Sequence, residues 1–406
     1  MTLQRYLDDI EARHLNAAPA HAAEYVGVVD EEVLSRAFEL ISARHPVLRA
    51  RITPDKGRHL LQVPPEHRPE FRIVDGDEQT LLQEVLGPWD AGRAVAHLIL
   101  VRAGDRGYIA LRVDHAVMDG HSFRAMFDEL LRMYHDLARG ISVKVEQIGS
   151  LPCPPSKLLQ ERWGGNSAVD VAAPVNSRQA GPPQFRRVRP VQGYLRFTAA
   201  ETARLLAFAR VTRTSVHALV SGSILAAHRN HGASADGLAQ ILCLSPVNLR
   251  QRVVPPVGTT ETTIFLGIHI ADVAVAPNCH PVTVGAEVKA QVHDAISRRQ
   301  VPLSVDLPTL SAKSASSSLE RRLALVQVSN NGILHPDLPQ LPGLQIVDFL
   351  MPTDAISTAF PIYSIYTYAR RLSIRYLYPS TVFTTEEVQT ITDGVGQQLA
   401  RCCPPV

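Results

Sequence analysis

Between Tyr108 and Gly120 the spacing of apolar positions changes period. Ile109, Leu111 and Val113 alternate with Ala110, Arg112 and Asp114, which predicts a half-buried strand with His115 inward-facing at its end. Beyond it Phe123, Met126, Phe127, Leu130, Leu131, Tyr134, Leu137 and Ala138 recur at three and four residues, which predicts a helix that Ser122 is placed to cap. His115 therefore stands at a strand-to-helix junction, with Asp119 and Gly120 four and five positions on. Gly120 would permit a turn that a residue with a Cβ resists.

The same patterns run along the rest of the chain. Residues 24–29 read as a first strand. Residues 31–44 read as a helix with Val33, Leu34, Ala37, Phe38 and Ile41 on one face, ended by His45-Pro46. Strands are predicted at 48–52, 59–63, 71–74 and 96–102, with a short helix at 81–86. From 142 to 191 the periodicity gives way to Pro152, Pro154, Pro155, Pro174, Pro182, Pro183 and Pro190, interspersed with Gly164, Gly165 and Gly181. That composition is expected of an interdomain connection. A strand at 193–197 follows, then helices at 199–210 and 216–231 and strands at 239–244 and 263–275. An amphipathic helix is predicted at 284–298 and a Ser/Pro-rich excursion at 302–318. Strands at 323–329 and 344–350 and a hairpin of 361–368 with 371–378 come next. Thr384-Thr-Glu-Glu387 is a capping box opening a final helix. No internal repeat is evident. The expected class is α/β (α+β), divided as 1–150, a connection at 151–191, and 192–406.

Composition narrows the function. A chain of 406 residues can bury two cores. With 41 basic against 39 acidic residues, the net charge of +2 predicts no strong field for nucleic acid or an anionic membrane surface. Cys153, Cys243, Cys279, Cys402 and Cys403 show no zinc spacing, and their odd number and scatter suit free thiols in a reducing cytosol. The first 23 residues lack the apolar core of a signal peptide, and no run reaches the roughly eighteen apolar residues of a spanning helix. The expectation is a cytoplasmic protein with no integral membrane segment and no nucleic-acid partner.

Three readings of His115 compete. It could be a satisfied core histidine, a metal ligand together with Asp119, or a general base, since imidazole titrates near neutrality. The metal reading lacks a ligand set: an i, i+4 pair shares a face only within a helix, and no His/Glu/Cys cluster lies nearby. Spacing alone leaves core and base both open. Elsewhere, His217 reads as packing on its helix, Trp89 as a packed loop anchor rather than a substrate wall, and Arg186-Arg187-Val-Arg189 as a solvated basic run. There is no Gly-x-Ser-x-Gly elbow and no phosphate-binding Gly-rich loop.

His115-Ala-Val-Met-Asp119-Gly120 after a strand resembles the signature of the chloramphenicol-acetyltransferase-like superfamily, which includes the condensation domains of peptide synthetases. Other segments are similar to the same group in the same order. Leu34–Phe38 through Arg44–Arg51 resembles its first helix and strand, and Pro88-Trp89-Asp90 the segment before a later strand. Leu244-Ser-Pro-Val-Asn-Leu-Arg250 with Pro255-Pro-Val257 resembles the polyketide-associated acyltransferases of the phthiocerol dimycocerosyl transferase type, and Val328-Ser-Asn-Asn-Gly332 their Asn-containing loop.

The resemblance implies two similar α/β domains, mixed sheets with flanking helices, and an active-site tunnel between them. His115 would be the general base, taking a proton from the acceptor as it attacks a thioester. Asp119 would be structural, paired with Arg250 of the second domain through a contact that can be bidentate. Gly120 would serve the turn, and Asn330 would be the candidate oxyanion donor, with Asn331 adjacent. No permanently bound cofactor is implied; acyl-CoA or a phosphopantetheine-linked acyl thioester would be the co-substrate, and an acyl carrier protein a candidate partner. Many condensation domains carry a second His before the catalytic one, and here that position is Asp114, which favours O-acylation of a polyketide, lipid or related metabolite. The alternatives are a stand-alone amide-forming enzyme and a non-catalytic binding member.

Overall fold

The structure, a computed structural model, describes residues 2–163, 188–232, 237–303, 319–353 and 360–402. Most of the proline-rich connection, including Arg186 and Arg187, and most of the 302–318 excursion lie outside them. In chain order the first elements are β1 (Leu3–Tyr6), α1 (Asp9–Ala12), β2 (Ala20–Gly27), α2 (Glu31–Arg44), β3 (Arg51–Asp55), β4 (Arg58–Val63) and β5 (Glu70–Asp75). There follow α3 (Glu78–Leu86), β6 (Ala96–Ala103), β7 (Arg106–Val113), α4 (Gly120–Ala138) and α5 (Pro155–Arg162). The later elements are β8 (Pro190–Arg196), α6 (Ala199–Val211), α7 (Val216–Gly232), β9 (Ala239–Asn248), β10 (Leu266–Val275) and α8 (Pro281–Ser297). After the short helix Leu319–Arg322 come β11 (Leu325–Ile333), β12 (Leu344–Leu350), β13 (Ile362–Tyr368), β14 (Arg371–Pro379) and a C-terminal helix, Thr385–Cys402.

Two compact units result, and neither is one stretch of chain. The first comprises Met1–Asn166, Leu249–Phe265 and His335–Asp354; the second comprises Ser167–Asn248, Leu266–Leu334 and Ala355–Val406. The sequence suggested contiguous domains, which places Arg250 in the second. The structure puts it in the first unit, because the segment carrying it leaves β9 and returns at β10 after bonding to first-unit residues.

The first unit holds a five-stranded mixed sheet of order β12-β2-β7-β6-β5, in which only the β5–β6 pair is parallel. A three-stranded sheet, β1-β4-β3, accompanies it. Strand β7 lies at the centre of the larger sheet, and this corrects the half-buried reading. Ala110 and Arg112 are as buried as Ile109, Leu111 and Val113. On the apolar face lies α4: His21, opposite Leu111 in β2, packs against Phe123 with ring centroids 4.3 Å apart. On the other face Arg112 caps the end of α3, donating from Nη1 to the Glu84 carbonyl at 3.0 Å and from Nη2 to that of Gly87 at 2.9 Å. These carbonyls have no partner within the helix, so a buried guanidinium is well used there.

The second unit is built on a six-stranded mixed sheet of order β10-β9-β11-β13-β14-β8. Its core gathers Leu219, Ile224 and Leu225 of α7, Val284 and Val288 of α8, and Ile391 and Val395 of the C-terminal helix against the sheet. The final helix is capped by Thr384, whose Oγ1 accepts the Glu387 amide at 3.2 Å while the Glu387 carboxylate accepts the Thr384 amide at 2.9 Å. One local reading changes: residues 46–49 form a 3-10 turn, since Pro46 favours a helical first position, and the strand starts only at Arg51. Both units thus have mixed sheets with flanking helices.

Candidate functional site

The chain leaves β7 through a one-turn 3-10 helix, His115–Val117, whose N-cap is Asp114. The Asp114 carboxylate is fully buried and both of its oxygens accept hydrogen bonds. Oδ1 accepts the Ala116 amide at 3.0 Å; Oδ2 accepts the Asn16 amide at 2.8 Å and the Trp89 Nε1–H at 2.9 Å. Trp89 is thus a packed anchor, with the Arg112 guanidinium 4.6 Å over its ring.

His115 sits not on the strand but on this turn, and it is half-buried. Its amide donates to the Ala17 carbonyl at 2.6 Å. Its Nδ1 lies 2.7 Å from the Met118 carbonyl oxygen. A carbonyl only accepts, so Nδ1 must carry the hydrogen, and the lone pair of the neutral ring is on Nε2. That is the tautomer a base requires, set by the backbone three residues on.

Asp119 is the N-cap of α4, displacing Ser122 from the expected role. Oδ1 accepts the amides of His121 and Ser122, both at 3.0 Å, and Ser122 reciprocates from N3. Caps of this kind are worth about 1 kcal/mol. Oδ2 accepts Arg250 Nη1 at 2.6 Å and the Phe265 amide at 2.9 Å. Asp119 is 0% and Arg250 3% exposed, so this ion pair is out of water. It is end-on rather than forked, because the helix N-terminus occupies the other oxygen. Burial alone would raise the Asp119 pKa; the charge and hydrogen bond of Arg250, with the Phe265 and Ser122 amides, outweigh it and hold the carboxyl below its usual range. Gly120 is simply the first helical residue of α4, so it does not take the left-handed turn open to glycine.

Two chain segments clamp this junction: the first had no signal in the sequence, while the second carries Arg250, which the resemblance had paired with Asp119. One is the strap after α1. Asn16 adopts φ 62°, a left-handed conformation that asparagine tolerates, which delivers its amide to Asp114. Beside it the His14 ring lies 4.7 Å from that of His115, centroid to centroid. Burial, reinforced by the neighbouring His115 and Arg13, pushes the His14 pKa down to about 3. The other is 249–265. The Asp119 amide donates to the Thr263 carbonyl at 2.9 Å, and Thr263 Oγ1 donates to the buried Glu11 carboxylate at 2.6 Å. Glu11 also takes Arg5 Nη1 at 2.8 Å and Nη2 at 2.6 Å.

The remaining expected residues lie in the second unit. Asn330 is exposed on β11, at a register shift between Asn330 and Ile333. Its Oδ1 accepts the Gly332 amide at 2.9 Å, where Gly332 has φ +70°, so it caps that turn and Nδ2 is its donor end. His217 Nε2 is 3.1 Å from Ser245 Oγ, and burial lowers its pKa to about 4. Among the described residues no group of three or more His, Cys, Asp or Glu is placed to hold a metal, and no helix is long and apolar enough to cross a membrane.

The sequence matches two family descriptions, the condensation domain over residues 11–150 and the phthiocerol/phthiodiolone dimycocerosyl transferase C-terminus over 186–377. It is 25% identical over 374 residues to the phthiocerol/phthiodiolone dimycocerosyl transferase of Mycobacterium tuberculosis, covering 86% of each chain. It is 27% identical over 262 residues to the protein of that name from Mycobacterium leprae, covering 59% of this chain and 60% of that one. Among solved structures, polyketide synthase associated protein 5 from Mycobacterium tuberculosis superposes with a TM-score of 0.76 at 20% identity over 98% of both chains. The first condensation domain of the calcium-dependent antibiotic synthetase gives 0.72 at 16% identity, over 99% of this chain and 97% of that one. A trichothecene 15-O-acetyltransferase from Fusarium sporotrichioides gives 0.71 at 12%, over 99% and 96%.

Proposed function

We infer from one premise, that the chain belongs to the chloramphenicol-acetyltransferase-like, condensation-domain superfamily, that it is an acyltransferase acting on polyketide-derived lipids. In the finer reading it moves an acyl group from a coenzyme A or carrier-protein thioester to a hydroxyl. The observation that carries this reading is the tether of His115 Nδ1 to the Met118 carbonyl, which leaves Nε2 as the basic atom.

The mechanism follows from that atom. His115 Nε2 takes the proton of the acceptor hydroxyl as its oxygen attacks the thioester carbonyl. The C–S bond then breaks, the imidazolium returns the proton to the departing thiolate, and ester and thiol are released. No acyl-enzyme is needed. Charge develops on the carbonyl oxygen during attack, and a hydrogen-bond donor there would stabilise it. Asp119 takes no proton in this scheme. Saturated by five donors and held ionised by Arg250, it fixes the turn that carries the base.

A hydroxyl acceptor is favoured over an amine because Asp114, here a cap for the turn, stands where many condensation domains carry a second histidine. The test is to incubate the protein and His115→Ala with a panel of acyl thioesters, on coenzyme A and on carrier protein, against hydroxyl and amine acceptors, and to read products by mass. Ester formed by the wild-type protein alone is expected. Amide products, or equal turnover by His115→Ala, would overturn the reading.

A further inference from the structure

A base held at one point is not yet aimed. The hydrogen bond from Nδ1 to Met118 O fixes one edge of the His115 ring but leaves the plane free to tilt about it. A second contact is needed to fix the plane, and among the described residues the His14 ring supplies one, 4.7 Å away and inclined at 46°. This contact is built rather than incidental. The strap carrying His14 is bonded to the base and to the residue before it: the Ala17 carbonyl takes the His115 amide at 2.6 Å, and the Asn16 amide reaches Asp114 at 2.8 Å. Asn16 Oδ1 in turn accepts the Ala91 amide at 3.1 Å, which ties the strap to the loop carrying Trp89. The His14 ring itself makes no hydrogen bond to any described residue, so its place is not explained by a polar partner of its own.

We propose that His14 is a positioning residue for the base, the wall against which the His115 imidazole is held so that Nε2 keeps its aim. The charged and titratable groups around it are His115, Arg13 and Asp119. Kept neutral by burial, the wall adds no second positive charge beside the imidazolium that forms during transfer. The proposal rests on His115 acting as the base, and its test separates the two.

His14→Ala should lower kcat ten- to a hundredfold at nearly unchanged KM, since a base displaced by about 1 Å can lose that much. His14→Phe keeps a ring in the same place and should recover most of the loss. A His14→Ala protein with wild-type turnover overturns the proposal. So does a His14→Phe protein as slow as His14→Ala, because the function would then belong to the ring nitrogens. A readout independent of turnover is the titration of the His115 imidazole followed by NMR in the folded protein. His14→Asp sets a carboxylate roughly 5 Å from that ring and should raise its midpoint by about one pH unit. An unmoved midpoint removes the contact and the proposal with it. A dead His115→Ala beside an unimpaired His14→Ala sinks the role of His14 only; an active His115→Ala sinks the base itself.

Discussion

His115 and His217 are both half-buried histidines near the start of a helical segment, one in each unit, and they differ in what holds the ring. His115 is held by a carbonyl, which dictates the tautomer and leaves Nε2 basic. His217 meets the hydroxyl of Ser245, which can donate or accept, so nothing dictates its tautomer. Its Nδ1 is enclosed without a hydrogen-bonding partner among the described residues, and burial lowers its pKa to about 4. Burial of a histidine therefore does not by itself set which nitrogen is left to accept a proton. The partner of the first nitrogen, and what is left around the second, decide it.

The sharpest way to break this comparison is to remove each ring. His115→Ala should cost on the order of a hundred- to ten-thousandfold in turnover with the fold intact by circular dichroism. His217→Ala should cost far less turnover. Comparable losses from the two would erase the distinction.

Next is the support of the turn. Asp119→Asn and Arg250→Gln each strand a buried partner, which typically costs about 3–5 kcal/mol. The double variant should be destabilised by much less than the sum, read by denaturant unfolding. Additive losses would mean that the ion pair at 2.6 Å contributes no coupling.

Acid stability sharpens the other side. A buried histidine whose folded pKa lies below the unfolded value binds its proton more readily when unfolded. It therefore contributes nothing against unfolding above about pH 6.5, and stability falls as pH drops from there toward the folded pKa. His228 is 1% exposed, between Tyr363 and Tyr378, with a pKa lowered to about 4 by burial. Across that window it should cost roughly 3 kcal/mol. His228→Gln should flatten the acid limb of a stability–pH curve; an unchanged limb would rule this histidine out as its source.

The smallest effect belongs to Trp89→Phe, which keeps an aromatic ring but removes one of the donors to Asp114. A loss of about 1–2 kcal/mol is expected, with turnover falling only as far as the turn loosens. A variant as stable as the wild type would show the Asn16 and Ala116 amides to be sufficient.

Much of the molecule was legible residue by residue. The helix Glu31–Arg44, the strand Leu344–Leu350 and the capping box at Thr384 follow from period, proline and cap chemistry, all of them local. Some misreadings are those in which a distant neighbour wins. Arg112 and Asp114 look like the solvent face of β7 because they are polar, yet both are buried: one caps α3 and the other gathers three donors. The 3-10 turn at His115 has a local explanation, an aspartate cap, but alternation alone extends the strand through it.

The sequence by itself determined most of the element types and the motif from His115 to Gly120, and its resemblance to a known family marked Asp119 and Arg250 as a pair worth testing. Only the tertiary structure decided that Leu249–Phe265 and His335–Asp354 join the first unit, that β12 pairs with β2, and that His14 lies against His115. The physical reason is range. Periodicity and capping act within a few residues, where one turn or one pleat sets which side chains share a face. The bond from Thr263 to Glu11 joins positions 252 apart, and that from Asn16 to Asp114 joins positions 98 apart. Such bonds satisfy buried polar groups only once the chain has closed around them, and nothing in the local pattern of either partner announces the other.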